Sequence, residues 1–226
     1  SPDTDLVSKA INQFADAYNT IRLFAAKQSQ LDDSGQPKET SVLYDDPTFR
    51  SLMDAINTEV TSIVGGISAS NPTQLSEIGL KLDNFAGDDT NPATKNILTV
   101  DSETLTSALD SNFDGVRALF EYQETADNVN FVTSKRSNNI TGITSYSVSI
   151  NQTTNTYSLT YGSTTINLDY SALPGGGVSL SGQSGTVFEG MEFVFASTAN
   201  ATVNVTLSQG YGDRFYNLMG GYLNSD

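Results

Sequence analysis

Asp110, Asn112, Asp114, Gly115 and Glu121 stand at the spacing Asp-x-Asn-x-Asp-Gly-x5-Glu. In a calcium-binding loop, oxygens at the first, third, fifth and twelfth positions surround the ion, and the glycine makes the sharp turn. Three features count against a metal here. The eighth position, normally an apolar residue that pairs with a partner loop, is Arg117. The chain has no second such loop, and Phe113, Leu119 and Phe120 suit a helix packed on a core. The stretch therefore reads as a helix C-terminus, a turn, and a further helical turn starting at Asp114. No metal and no cofactor are expected, with calcium on Asp110, Asn112, Asp114 and Glu121 as the lesser alternative.

Other reactive chemistry is scarce. The chain contains no cysteine, histidine or tryptophan. Disulfides, thiol catalysis, imidazole bases and a Ser-His-Asp arrangement are thereby excluded. The acidic pairs Asp32-Asp33, Asp45-Asp46 and Asp88-Asp89 fall in polar turns, where solvated carboxylates are expected rather than a catalytic pair in a cleft. Gly175-Gly176-Gly177 lacks the lysine and helix of a phosphate loop. Asn-x-Ser/Thr sequons at Asn139, Asn151, Asn200 and Asn204 match the composition of an Asn- and Thr-rich segment. No catalytic set emerges, and an enzyme is not expected.

The elements that would position these residues follow from periodicity. Residues 5–30 read as an amphipathic helix with Val7, Ile11, Phe14, Tyr18, Ile21 and Ala25 on one face, capped by Asp3, Thr4 or Asp5. A second helix starts at Pro47 behind the cap Asp46. It carries Phe49, Leu52, Met53, Ile56, Val60 and Ile63, and ends at Gly65-Gly66. The two stripes are expected to face each other as an antiparallel pair, with Phe14, Tyr18 and Ile21 against Phe49, Leu52 and Ile56. Leu75–Asp83 and Asn96–Val100 read as a hairpin, and Asp101 caps a third helix with Leu105 and Leu109. From about Val129 the period becomes 2, in runs through Tyr146–Ile150, Tyr157–Tyr161, Ile166–Tyr170, Met191–Phe195 and Val203–Leu207. Helical character returns after Gly210.

Charge partitions the same way. Residues 1–122 hold 19 acidic and 8 basic residues, whereas residues 123–209 hold 5 and 2. The expected fold is α+β: a helical, bundle-like domain with a small β-hairpin (1–122 plus 210–226), interrupted by an antiparallel all-β insert domain (123–209). Its two ends should lie close together. The formal net charge of −15 disfavours nucleic acid and anionic membranes as partners. No apolar run approaches the roughly 20 residues of a spanning helix.

Five segments resemble one family, the bacterial flagellar filament cap proteins, or hook-associated protein 2. Gln13–Ile21, with Phe14, Tyr18 and Asn19, resembles their F-V-x-A-Y-N-x-L helix. Leu43–Leu52, with Asp46, Phe49 and Leu52, is similar to L-x-G-D-x-T-L-R-x-I. Leu75–Leu80, with Ile78 and Gly79, resembles L-x-x-I-G-I. Ile97–Asp101, with Leu98 and Asp101, resembles G-x-L-x-L-D, with Asn96 where glycine is frequent. Leu109, Asn112, Val116, Leu119 and Phe120 resemble L-x-x-N-x-x-x-V-x-x-L-F. The resemblance covers residues 6–120 and the return near Gly210–Tyr216. It implies that the chain is a fragment of a longer protein with coiled-coil termini.

The resemblance further implies a non-enzymatic, homo-oligomeric protein at the distal tip of the flagellum, outside the cell. Its partners there are flagellin and copies of itself, and it retains exported flagellin and promotes its polymerisation. Leu119 and Phe120 would anchor the insert. The absence of cysteine is compatible with export as an unfolded chain. The alternative is a surface adhesion or carbohydrate-binding module that contacts host or surface glycans through Tyr157, Tyr161, Tyr170 and Tyr211.

Overall fold

In the computed structural model, which describes residues 3–137 and 140–223, Asp3 opens the first helix, α1 (Thr4–Gln28), by accepting the Leu6 N–H at 3.0 Å. Its far end is closed from the following loop. Leu43 N–H donates to Gln28 Oε1, and the Ser41 hydroxyl reaches the carbonyls of Lys27 and Gln30. Asp46 caps α2 (Pro47–Thr61) through the Phe49 N–H at 2.7 Å, with Pro47 at the first helical position.

α2 stops before Gly65-Gly66, contrary to the sequence expectation. Thr58, Thr61 and Ser62 turn their hydroxyls back onto helix carbonyls, and Ser62 is extended at ψ 154°. Ile63 is consequently exposed and leaves the apolar stripe. Gly66 serves a different purpose. At φ +79° it lets the Leu207 carbonyl approach where a Cβ would collide.

Leu75–Ile78 is a 3-10 turn rather than the start of a strand. The Glu77 carboxylate accepts the Thr73 N–H at 2.6 Å and the Gln74 N–H at 3.3 Å, which holds its pKa below the ordinary range. Gly79 then turns the chain at φ +90°. β1 (Leu80–Phe85) and β2 (Thr94–Val100) follow as an antiparallel hairpin in the register Leu80↔Val100. Asp101 caps α3 (Ser102–Ala118).

These elements, with part of the last helix, form one compact unit: Ser1–Val64, Ser68–Phe120 and Phe215–Asp226. Its packing is not the expected bundle with an α1–α2 pair. α1 lies along β2 and α3. Phe14 meets the ring edges of Phe120 and Phe215 at centroid distances of 5.6 and 5.4 Å, and the α1 ring that meets Phe49 is Phe24. The reason is polar: β2 has a backbone edge to satisfy, and α1 carries the side chains that do so.

The second unit is Gly65–Ile67 with Glu121–Arg214. Its described residues form eight antiparallel strands: β3 (Tyr122–Ala126), β4 (Phe131–Lys135), β5 (Ser145–Asn151), β6 (Thr156–Tyr161), β7 (Thr164–Ala172), β8 (Val178–Gly182), β9 (Glu192–Phe195) and β10 (Ala201–Gln209). Their order across the sheet is β3-β10-β5-β6-β7-β8-β9-β4. Most period-2 runs bury the predicted faces: Tyr146, Val148 and Ile150, then Tyr157 and Leu159, Phe193 and Phe195, and Val203, Val205 and Leu207; in Ile166–Tyr170 only Leu168 is buried and Tyr170 is exposed. β3, β4 and β8 are not among the predicted runs.

β7 turns the sheet over the core. Its first residues pair with β6 and Leu168–Ala172 pair with β8. The edges β3 and β4 are then linked by side chains, the Thr133 hydroxyl donating to Glu124 Oε1 at 2.5 Å. The segment leaves and returns side by side: Tyr122 pairs with Gln209, and the Gly210 N–H donates to the Glu121 carbonyl at 3.1 Å. α4 (Tyr211–Leu223) then carries the chain back into the first unit.

Candidate functional site

The metal-loop spelling lies on a kinked helix. Asn112, at φ −152° and ψ 63°, breaks α3 into two helical segments. Its Oδ1 accepts the Gly115 N–H at 3.0 Å, as an N-cap does, and its Nδ2 donates to Asn71 Oδ1 at 3.1 Å. Gly115 is helical rather than a sharp turn, and a Cβ there would strike the Asn112 carboxamide. Asp110 and Glu121 are exposed, and Asp114 lies 3.8 Å from the Arg117 guanidinium. Among the described residues, no three acidic side chains converge at a distance that could hold a metal. The pattern describes a capped restart of a helix. Val116, Ala118 and Leu119 of that restart are buried, as is Leu109 before it.

The family-like residues of α1 build a different constellation. The Asn19 carboxamide accepts the Leu98 N–H at 2.7 Å and donates to the Leu98 carbonyl at 2.8 Å. Beside it, Tyr18 donates to the Asn96 carbonyl at 2.7 Å, and one turn on, Arg22 Nη2 donates to the Lys95 carbonyl at 3.0 Å. Burial raises the Tyr18 pKa, and the charge of Arg22 opposes that rise. Asn96 takes a left-handed φ of 59°, and its Nδ2 reaches Asn57 Oδ1 on α2 at 3.0 Å. α1 thus occupies the free edge of the hairpin as a third strand would. An unpaired edge is open to unwanted pairing with other chains, and a covering helix removes that hazard.

The remaining motif residues lock the other side. The Gly79 carbonyl accepts the Asp101 N–H at 2.9 Å, and a Cβ on Gly79 would crowd Asp101 and Thr104. Asp101 accepts the Thr104 N–H at 3.1 Å, and that bond holds its carboxyl below the usual range. Ile78 and Leu98 are buried, while Leu52 and Phe49 are half-buried. Sequence reasoning missed Arg22, Asn57 and Asn71. For Arg22 on α1 and Asn57 on α2 the available signal was a polar residue at helical spacing; Asn71 lies in a loop and carried none.

The acidic pairs build their own turns. Asp32 accepts the Ser34 and Gln36 N–H groups, Asp88 accepts those of Thr90 and Asn91, Asp45 pairs with Arg50, and Asp46 caps α2. Hydrogen bonds from Thr90 lower the Asp88 pKa. Of the sequons, Asn151 accepts from Thr153 and Thr154 N–H, Asn204 donates to Asp127, and Asn200 accepts the Gln152 N–H. Asn139 lies outside the described residues.

In the β unit, Tyr122 donates to Glu124 Oε2 at 2.5 Å, beside the Thr133 bond to the same carboxylate. The Arg136 guanidinium lies 4.1 Å from the Tyr122 ring centroid and 3.3 Å from Asp213. Burial pushes the pKa values of Tyr122 and Tyr146 well above the ordinary tyrosine value. The proposed glycan platform does not assemble. Tyr211 and Tyr157 are buried at 0% and 6% exposure, leaving Tyr161 half-buried against Phe188 and Tyr170 exposed at 50% and packed on Tyr157. A sugar needs an open aromatic face, and core packing has taken those of Tyr157 and Tyr211.

A family model described as the C-terminus of flagellar hook-associated protein 2 matches residues 1–173. The match runs beyond the helices and the hairpin, through β7 of the second unit. Neither the curated proteins nor the solved structures yielded a match.

Proposed function

The chain belongs to the flagellar hook-associated protein 2 family through that family's C-terminal region, and from that premise we propose that it is part of the cap at the distal end of the bacterial filament. In this reading it works outside the cell without enzymatic chemistry. A homo-oligomer of the parent protein retains exported flagellin and promotes its polymerisation, with flagellin and further copies of itself as partners. The ring is mismatched to the filament symmetry and leaves a gap for each incoming subunit.

The match over residues 1–173 of 226 carries this reading. Two physical features support it. Capping by geometry requires stiff elements, and the Asn19–Leu98 and Gly79–Asp101 bonds tie helix and hairpin together at both sides. Among the described residues, carboxylates cap helices and close turns rather than facing one another across a cleft. No described helix is long and apolar enough to cross a membrane. With Tyr157 and Tyr211 buried, no observation favours the adhesion alternative.

The test restores the parent gene to a cap-deficient bacterium. Filament growth and motility should return, and flagellin should cease to leak into the medium. A stably exported protein that leaves the filaments absent and the leak unchanged would overturn the reading.

A further inference from the structure

The hairpin of the first unit has two edges, and only one is covered. On β2, the Leu98 N–H and C=O are both taken by Asn19 of α1. Leu98 stands opposite Leu82 in the antiparallel ladder. In such a ladder, two opposite residues either exchange both backbone bonds or both turn outward. Leu98 turns outward to α1, so Leu82 turns its N–H and C=O to the far side of β1. The bond from the Asp101 N–H to the Gly79 carbonyl gives the same phase, because bonded pairs recur at every second residue, at Gly79, Lys81 and Asp83. Among the described residues, β1 has no strand neighbour but β2, and nothing meets the outer backbone groups of Leu82.

The open edge carries an apolar side chain between two opposite charges. Leu82 is 37% exposed beside a hollow of about 390 Å³ whose apolar walls include Val60, Leu75, Leu80 and Leu98. Lys81 and Asp83 flank it, exposed and on the opposite face of the strand. Among the described residues, neither is in a salt bridge. A lysine alone on an edge deters pairing. A lysine with an aspartate two residues on selects a partner instead. When a second β1 lies antiparallel with Leu82 opposite Leu82, each Lys81 faces the other copy's Asp83. The next registers on either side that keep outward residues opposite each other set Lys81 against Lys81, or Asp83 against Asp83. Opposite charges across strands are favourable and like charges unfavourable, so one register is chosen.

We propose that the outer edge of β1 pairs with the same edge of a second copy of this chain, antiparallel and centred on Leu82. The two Leu82 residues exchange two backbone hydrogen bonds, and their side chains cover each other on one face of a joined four-stranded sheet. Asp83 Oδ1 already accepts the Asn84 N–H at 2.7 Å, which leaves Oδ2 for the partner's Lys81. The contact is two-fold symmetric, with the same patch on both copies. So short an edge buries less than the roughly 1,000 Å² of a stable dimer, so the association is weak. The inference does not rest on the cap reading, and its experiment uses the chain alone, so either can fail without the other.

The test is sedimentation equilibrium of the 226-residue chain from micromolar to millimolar concentration, at physiological salt to screen the net charge of −15. The mean mass should rise from one chain towards two, with concentration-dependent amide shifts in NMR spectra centred on Lys81–Asp83. Asp83→Lys alone and Lys81→Asp alone should each weaken self-association about tenfold or more, because two opposite-charge pairs become two like-charge pairs. An equimolar mixture of these two variants should associate again, and so should the double variant Lys81→Asp, Asp83→Lys by itself. A mass that stays at one chain up to millimolar concentration, self-association unchanged in the single variants, or a double variant that stays monomeric would each overturn the proposal. The double variant needs no mixture, so it decides even if a single variant fails to fold.

Discussion

The Asn19 carboxamide exchanges two hydrogen bonds with the backbone of Leu98, 79 residues away in sequence. A side-chain amide has the donor and acceptor of a peptide unit, so it can stand in for a strand partner. Through this pair α1 replaces the third strand that the two-stranded hairpin lacks. A lone hairpin is marginal in water, and packing against a helix stabilises it.

Asn19→Ala should therefore destabilise the first unit by about 2–4 kcal/mol, since it strands a buried N–H and a C=O. The sharper readout is hydrogen exchange at the Leu98 amide, which should accelerate far more than amides of the β unit. Asn19→Asp keeps the acceptor and should protect the Leu98 amide better than alanine does. Unchanged exchange in Asn19→Ala would refute the strand-mimic role.

Asn112 should matter for stability, and calcium should not. Asn112→Ala removes the cap of the second segment of α3 and its bond to Asn71, at a cost of about 1–2 kcal/mol. Gly115→Ala should be unfavourable as well, because its Cβ meets the Asn112 carboxamide. Millimolar calcium should leave the thermal transition in place for the wild type and for Asp114→Ala. Saturable heat in a calorimetric titration, lost in Asp114→Ala, is the contrary result.

The β unit should lose stability in alkali through its buried tyrosines. Tyr122 and Tyr146 have pKa values raised by burial, so the folded unit keeps their protons while the unfolded chain gives them up near pH 10. Their contribution is complete below about pH 10 and is lost as pH climbs towards the folded values. Tyrosinate absorbance should rise in two phases, the exposed residues first and Tyr122 and Tyr146 together with unfolding. The double variant Tyr122→Phe, Tyr146→Phe should flatten the alkaline limb.

At the acid end the sign reverses. Asp101 has a pKa lowered by the Thr104 N–H. Its contribution is present above the ordinary carboxylate value near 4 and is lost as pH falls through the folded pKa. Asp101→Asn should keep much of the cap at neutral pH and lose the acid dependence. An identical acid limb in wild type and variant would count against the assignment.

Glu124 on β3 joins the two sheet edges through Thr133 on β4, and Tyr122 on its own strand holds the same carboxylate. Glu124→Leu should loosen β3 against β4 and raise hydrogen exchange in those two strands, with β5 and β6 little affected. Uniform protection across all four strands would show that the carboxylate is not a closing element.

What the sequence determined alone was local. Asp3, Asp46 and Asp101 cap helices because each oxygen reaches an N–H three residues on. Alternation named the inward residues of β5, β6 and β10 because side chains in a strand change face at every step. The ordered motifs of residues 6–120 were enough to identify the family. The tertiary structure decided which surfaces meet. An apolar stripe shows that a helix face is buried but not by what, and here polar groups chose. Tyr18 and Asn19 satisfy the backbone of β2, so the middle of α1 goes to the hairpin and its contact with α2 is through Phe24 and Phe49. The same logic spends Asn112 on Asn71 and Gly115, and takes Tyr157 and Tyr211 into the core. Partners many residues apart are selected by the free energy of the whole packed unit, and no short window of sequence contains that sum.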